Sequence, residues 1–172
     1  MLLGNLLKSA SKNYRKIPVE GICSDSRKVK KNYIFFAIRG KKTSGTKFIK
    51  EAVSNGASAV ICSEKIKYKS DKIPLFFVKN VRKSLSEACS NFYKRKPKNI
   101  IAVTGTNGKS SVADFFYQIL SLNKISVASI GTLGVLSKRY KKKTKLTSMD
   151  PQNLHKALKI LAQKNIKNVI LE

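Results

Sequence analysis

What this chain is short of narrows it first. Its 172 residues include three cysteines and one histidine. Cys23, Cys62 and Cys89 are odd in number and far apart, which suits neither a disulfide framework nor a metal knuckle. A reducing cytoplasm is the expectation. His155 stands alone on a predicted helix and reads as a surface residue rather than a ligand. No apolar run approaches the ~20 residues of a membrane-spanning helix. The segment 1–8 is too short, and too polar afterwards, for a secretory signal; its leucines suit an amphipathic helix. Acidic residues are scarce too, 9 against 36 Lys and Arg, for a net charge of +27. Such a charge invites nucleic-acid phosphates. The lysines, however, are scattered through predicted helices and loops. Only 138–145 forms a basic run, and no aromatic-rich motif accompanies it. The charge therefore reads as solvated lysines whose field also favours small anions. With 42% apolar residues, a packed core is within reach.

The most informative stretch is Ile100-Ile-Ala-Val-Thr-Gly-Thr-Asn-Gly-Lys-Ser-Ser111. Residues 100–103 are β-prone and apolar, a turn with two glycines follows, and an apolar-periodic helix begins near Ser110. A strand that turns sharply into a helix N-terminus makes an anion cradle, because backbone amides converge there and the helix dipole adds roughly half a positive charge. Gly105, Thr106, Asn107, Gly108, Lys109, Ser110 and Ser111 are the expected ATP contacts. Lys109 would reach the β/γ-phosphates, and the Ser110 hydroxyl would hold Mg²⁺. The spacing G-x-x-G-K-S is shorter than the general phosphate-loop pattern, with Val103 at its first glycine position. Val112, Phe115, Phe116, Ile119 and Leu120 repeat at helical spacing and predict one buried face.

The chain divides near a polar, Pro-containing joint at 95–99, giving an expected first domain over 1–96 and a second over 97–172. In the first, strands are predicted over 33–38, 59–62 and 75–78, with helices over 47–55 (stopped by Gly56) and 84–93. In the second, strands are predicted over 100–103, 125–130 and 168–171. A loop carries Gly131 and Gly134, and a helix over 151–164 has Asp150 as N-cap and Pro151 at its first position. Strands alternating with helices predict an α/β fold, a small mixed α/β domain followed by the start of a parallel-sheet, phosphate-loop ATPase-like domain. The second unit is small for a doubly wound domain and closes on a strand, so a fragment of a longer protein is expected.

These motifs resemble the Mur ligases, in particular the MurE type, which adds a third amino acid to UDP-N-acetylmuramoyl-L-alanyl-D-glutamate. The resemblance runs from Asp25 to Glu172 and includes Val103-Thr-Gly-Thr-Asn-Gly-Lys109. Upstream, Asp25-Ser-Arg27, Tyr33-Ile-Phe-Phe-Ala37 and Gly40 resemble that family's UDP-sugar-binding domain. The resemblance implies that Ser24 and Ser26 contact the UDP-sugar and that Lys41, Lys42 and Thr43 lie on the uracil-side loop. Downstream, Gly131-Thr-Leu-Gly134 and Leu146-Thr-Ser-Met-Asp150 favour MurE over MurF. Thr147 and Ser148 stand where the family binds the muramoyl-peptide, and Glu172 where it holds Mg²⁺. Met149, Asn32 and Ser44 depart from the family's customary proline, glycine and aspartate.

The resemblance implies a bacterial, cytoplasmic, monomeric enzyme with ATP and Mg²⁺ as cofactors. Its substrates would be UDP-N-acetylmuramoyl-dipeptide and a diamino acid, meso-diaminopimelate or L-lysine, with no nucleic-acid or membrane partner. ATP would phosphorylate the glutamyl carboxylate and the amine would displace phosphate, with Lys109 and Glu172 as catalytic residues. The fragment itself would be inactive. A MurF-type or other Mur-like ligase, and a basic nucleic-acid-binding NTPase, remain open at this stage.

Overall fold

The structure is a computed structural model and describes residues 1–7, 12–40, 43–63, 73–143 and 149–172. The chain folds as two compact α/β units, Met1–Phe92 and Tyr93–Glu172.

In the first unit, β1 (Gly21–Cys23), β2 (Tyr33–Phe36), β3 (Ala57–Cys62) and β4 (Leu75–Phe77) form a parallel sheet in sequential order. Runs of consecutive apolar residues such as Ile34-Phe-Phe36 suit strands buried on both faces. One face packs Cys23, Phe35, Val60 and Cys62 with Ile49 and Ala52 of α1 (Ile49–Ser54). The alternate positions Ile22, Ile34, Phe36 and Ile61 are equally buried. β1 escapes a reading by pattern because three residues carry no periodicity. A 3₁₀ turn over Gly45–Phe48 leads into α1, which is shorter than the predicted helix. α2 (Val81–Phe92) begins three residues ahead of its predicted start, because Asn80 caps it: the Lys83 amide donates to Asn80 Oδ1 at 3.0 Å.

The N-terminal helix is not there. A single 3₁₀ turn covers Leu3–Asn5, and Lys8 lies outside the described residues. The backbone pairs with a neighbouring segment instead: Leu3 and Gly4 amides donate to Ile17 and Arg15, and Val19 donates to Met1. Gly4 weakens any helix here, and Leu3 and Leu6 bury their side chains from an irregular backbone.

In the second unit, β5 (Asn99–Ala102), β6 (Val127–Gly131), β7 (Gly134–Ser137) and β8 (Asn168–Leu171) make a sheet of order β5-β8-β6-β7. β8, last in sequence, lies between β5 and β6 and parallel to both. Ala102 pairs with Leu171 and Ile130 also pairs with Leu171, so the ends of three strands sit side by side. The predicted glycine loop is a β-hairpin: β7 runs antiparallel to β6, with Gly131 opposite Gly134. α4 (Pro151–Gln163) starts at Asp150, whose Oδ1 accepts the Asn153 amide at 2.9 Å. Its Ala157, Leu158 and Leu161 pack on Ala128, Ile130, Val135 and Val169.

Two expectations fail here. α3 (Lys109–Leu122) lies against β6 and β8, yet Ala113 is its only fully buried residue. Val112, Phe115 and Ile119 are 50%, 62% and 58% exposed, so the apolar stripe is not a buried face. Helical periodicity shows that a face is apolar; it does not show that these residues supply its cover. The adjoining edge strand β5 pairs only with β8 among the described strands, leaving Ile100 and Ile101 about 40% exposed as well. His155, expected on the surface, is half-buried on α4, and its Nδ1 has no hydrogen-bond partner among the described residues. Burial, with Lys96 adding to it, lowers its pKa from the ordinary 6.5. No helix among the described residues is long and apolar enough to cross a membrane.

Candidate functional site

The strand-to-helix turn of the second unit begins where β5 stops. Val103 still donates to Leu171 O at 2.8 Å, and the backbone then bends through 104–108 into α3. Gly108 sits at the helix N-terminus with φ +76°, a left-handed conformation that glycine adopts without penalty. A Cβ there would meet nothing within 4 Å, so the space above the turn is open. From Thr104 to Gly108 every residue is exposed. The first internal amide bond of α3 runs from Val112 to Gly108 O at 3.0 Å, and among the described residues no amide from Gly105 to Ser111 has an acceptor. Unclaimed amides at the positive end of a helix are what an anion requires. The Lys109 ammonium folds over the same turn, donating to Gly105 O at 2.6 Å and Thr106 O at 3.1 Å.

Glu172 reaches this turn from the end of β8. Ser110 Oγ donates to its Oε1 at 2.5 Å, Thr132 Oγ1 donates to Oε1 at 3.0 Å, and the Thr132 amide donates to Oε2 at 3.1 Å. The Ser110 bond, then the Thr132 amide, hold the Glu172 carboxyl below the usual carboxylate range, with a smaller contribution from the Lys109 charge. Gly131 makes the approach possible: a Cβ on it would stand 2.3 Å from Glu172 Oε2 and 2.7 Å from Glu172 Cβ. Three residues that sequence reading singled out, Lys109, Ser110 and Glu172, thus stand together. Thr132 and Gly131 were not among its site residues. Their roles come from the β6–β7 turn meeting the end of β8, which no local pattern announces.

A hydroxyl and a carboxylate side by side are hard oxygen donors of the kind Mg²⁺ accepts. Among the described residues no group of three or more His, Cys, Asp or Glu side chains could cage a metal alone. An ion at Ser110 and Glu172 would therefore depend on further oxygens from a bound phosphate, as Mg²⁺ at nucleotide sites does. The donor set fits the cofactor.

The first unit carries a separate cavity of about 460 Å³, within the range of small-molecule sites. Ser24, Ser26 and Thr43 line it, as do Asp25, Arg27 and Glu51. Asp25 caps the 3₁₀ turn Ser26–Lys28 and binds the Arg27 guanidinium twice, at 2.9 Å each. That side-chain bond holds the Asp25 carboxyl below the usual range. Ser26 is buried, and its Oγ donates to Glu51 Oε2 at 2.7 Å while Asn55 Nδ2 holds its carbonyl at 3.0 Å. Glu51 went unnoticed in the sequence, since a glutamate in a short amphipathic helix carries no signal. Lys41, Lys42, Thr147 and Ser148 lie outside the described residues.

Comparison with known proteins agrees with this architecture. The "Mur ligase family, catalytic domain" model matches residues 18–93, and the "Mur ligase middle domain" model matches 103–172. The chain belongs to the Mur ligase family. It is 40% identical over 156 residues to the UDP-N-acetylmuramoyl-L-alanyl-D-glutamate–2,6-diaminopimelate ligase of Rhizobium meliloti (strain 1021), covering 91% of this chain and 32% of that protein. It is 42% identical over 158 residues to the ligase of the same name from Rickettsia rickettsii, covering 90% and 33%. A solved structure of a ligase with that name superposes with a TM-score of 0.82 at 25% identity, over 100% of this chain and 36% of the other. A MurF ligase from Thermotoga maritima in complex with ADP gives 0.55 at 25% identity, over 91% and 32%. The chain spans about a third of the length of the curated relatives it matches.

Proposed function

We propose that the chain is part of a MurE-type ligase, which joins a diamino acid to UDP-N-acetylmuramoyl-L-alanyl-D-glutamate at the expense of ATP in peptidoglycan synthesis. The single observation that carries this reading is the meeting of Ser110 and Glu172 at the mouth of an open phosphate turn. The names of the relatives support the diaminopimelate-adding type over L-lysine addition, and the better superposition on the ligase of that name supports MurE over MurF. The setting is the bacterial cytoplasm.

Gly105, Thr106, Asn107, Gly108, Lys109, Ser110 and Ser111 bind the nucleotide, the turn amides facing its phosphates and the Lys109 ammonium offsetting their charge. Ser110 and Glu172 hold Mg²⁺, which supplies neutralisation of charge on the phosphates when bound. Thr132 keeps the Glu172 carboxylate turned toward Ser110. Acyl phosphate formation followed by amine attack needs no covalent nucleophile from the protein, so the chain's contribution is positioning and electrostatics. The domain over 1–96 takes the UDP-sugar in the cavity lined by Ser24, Ser26 and Thr43, and Lys41 and Lys42 contribute to binding the same substrate. The domain over 97–172 is the first part of the ATP-binding domain, to which Thr147 and Ser148 add muramoyl-peptide contacts.

Thermal melting tests both sites, because a ligand specific for the folded state raises its stability. ATP with Mg²⁺, and separately the UDP-sugar dipeptide, each raise the melting temperature. No shift with either ligand, alongside a strong salt-sensitive shift with an oligonucleotide, would replace the ligase by the nucleic-acid reading. With about a third of its relatives' length, the chain by itself releases no phosphate from ATP in the presence of both substrates.

A further inference from the structure

The cavity of the first unit holds an arrangement whose polarity can be read. Ser26 Oγ has one hydrogen, and it is spent on Glu51 Oε2 at 2.7 Å. What the hydroxyl turns to the cavity is therefore lone pairs, and Glu51 adds a carboxylate beside them. Only nine acidic residues occur in the whole sequence, yet two of them, Asp25 and Glu51, line this cavity. Their situations differ. Asp25 is neutralised by a two-bonded Arg27, whereas no ion pair is made by Glu51 among the described residues. Arg27, on the same cavity, feels the Glu51 charge from beyond ion-pair distance. A carboxylate with no cation in contact still repels a phosphate placed beside it and welcomes a hydrogen-bond donor.

The geometry points to Glu51 as the residue that fixes the hydrogen-bonding sense of Ser26, so that this part of the cavity accepts from an uncharged donor, a sugar hydroxyl or a ring N–H, and not from a phosphate. The inference rests on the UDP-sugar reading of the cavity and sharpens it. Glu51 is a positioning residue: it acts through the Ser26 hydroxyl. Removing the acceptor frees that hydroxyl to rotate and strips the donor of its oriented partner, a loss that typically weakens binding by about tenfold. Glutamine retains a carbonyl oxygen for Ser26 and abolishes the charge, which separates orientation from electrostatics.

Calorimetric titration of the full 172-residue chain with the UDP-sugar dipeptide, with uridine and with inorganic pyrophosphate tests this. Glu51→Gln should bind the UDP-sugar within about threefold of the parent, and Glu51→Leu should bind about tenfold more weakly while melting at a similar temperature. Uridine should compete with the UDP-sugar and lose affinity in Glu51→Leu as the UDP-sugar does. Pyrophosphate, which would occupy the part of the site that takes the diphosphate, should bind Glu51→Leu and the parent alike. Parent-like affinity in a folded Glu51→Leu chain would overturn the inference and leave the UDP-sugar site standing. So would tenfold tighter binding by Glu51→Gln, because the carboxylate would then face phosphate. Absence of UDP-sugar binding by the parent would remove both the inference and the site. Loss of folding in Glu51→Leu would shift the decision to Glu51→Gln and Ser26→Ala: weak binding by Ser26→Ala with parent-like Glu51→Gln sustains the inference, and parent-like binding by Ser26→Ala refutes it.

Discussion

Ser110 Oγ and Glu172 Oε1 lie 2.5 Å apart although 62 positions separate them in the chain. The pair forms because β8 inserts next to β5, so that the residue after one strand meets the first turn of the helix that follows the other. A hydroxyl donating to a carboxylate at the N-terminus of a helix satisfies both groups. The same two oxygens are the ones a divalent cation would draw together.

Replacing either oxygen should therefore act on the metal and not on the fold. Glu172→Gln and Ser110→Ala are expected to keep the parent's melting temperature within a few degrees, since both side chains stand at an open rim. Each should remove most of the additional melting shift that Mg²⁺ gives in the presence of ATP, with about a tenfold loss of apparent affinity. Differential scanning fluorimetry with and without chelator separates the two effects. An undiminished Mg²⁺ dependence in both variants would exclude these residues as the metal site.

Gly131→Ala should displace the same carboxylate without touching it chemically. The added Cβ would stand 2.3 Å from Glu172 Oε2, a contact that forces the side chain or the β6–β7 turn to move. The clash falls wholly on the Glu172 side chain at an open rim, which can turn aside at little cost to the fold. The expected result is a melting temperature near the parent's together with loss of the Mg²⁺ response. A parent-like Mg²⁺ response would show that Glu172 is not seated where Gly131 and Thr132 place it.

His155 predicts a pH dependence. Burial lowers its folded pKa below 6.5, so protonation favours the unfolded chain. The stability it leaves intact is whole above 6.5 and is lost as the pH falls from there through the depressed folded value. His155→Leu removes both this titration and the Nδ1 that has no hydrogen-bond partner among the described residues. Its melting temperature should equal or exceed the parent's and vary less between neutral and mildly acid pH. A parent-like slope in that range would mean that another group titrates.

Legibility followed the range of the interactions. The order of strands and helices in the second unit, apart from β7, was visible because β-prone runs, the glycine turn and the Asp150–Pro151 start are local signals. β7 read as loop because its pairing with β6 is what makes it a strand. β1 and the capped start of α2 were not: one is too short to show a period, and the other depends on where Asn80 finds an amide. The N-terminal leucines misled, since an apolar segment can bury itself from an irregular backbone as well as from a helix. The stripe on α3 misled differently, because the described residues hold no cover for it.

By itself the sequence determined that a strand would break at a glycine turn into a helix carrying Lys109 and Ser110, because backbone propensity and capping act over a few residues. Only the tertiary structure decided that Glu172 and Thr132 would close on Ser110, and that Glu51 would take the hydrogen of Ser26 25 positions away. Those contacts depend on strand order and helix placement, which arise from burying the sheets' apolar faces and leave no trace in the spacing of the polar residues they bring together.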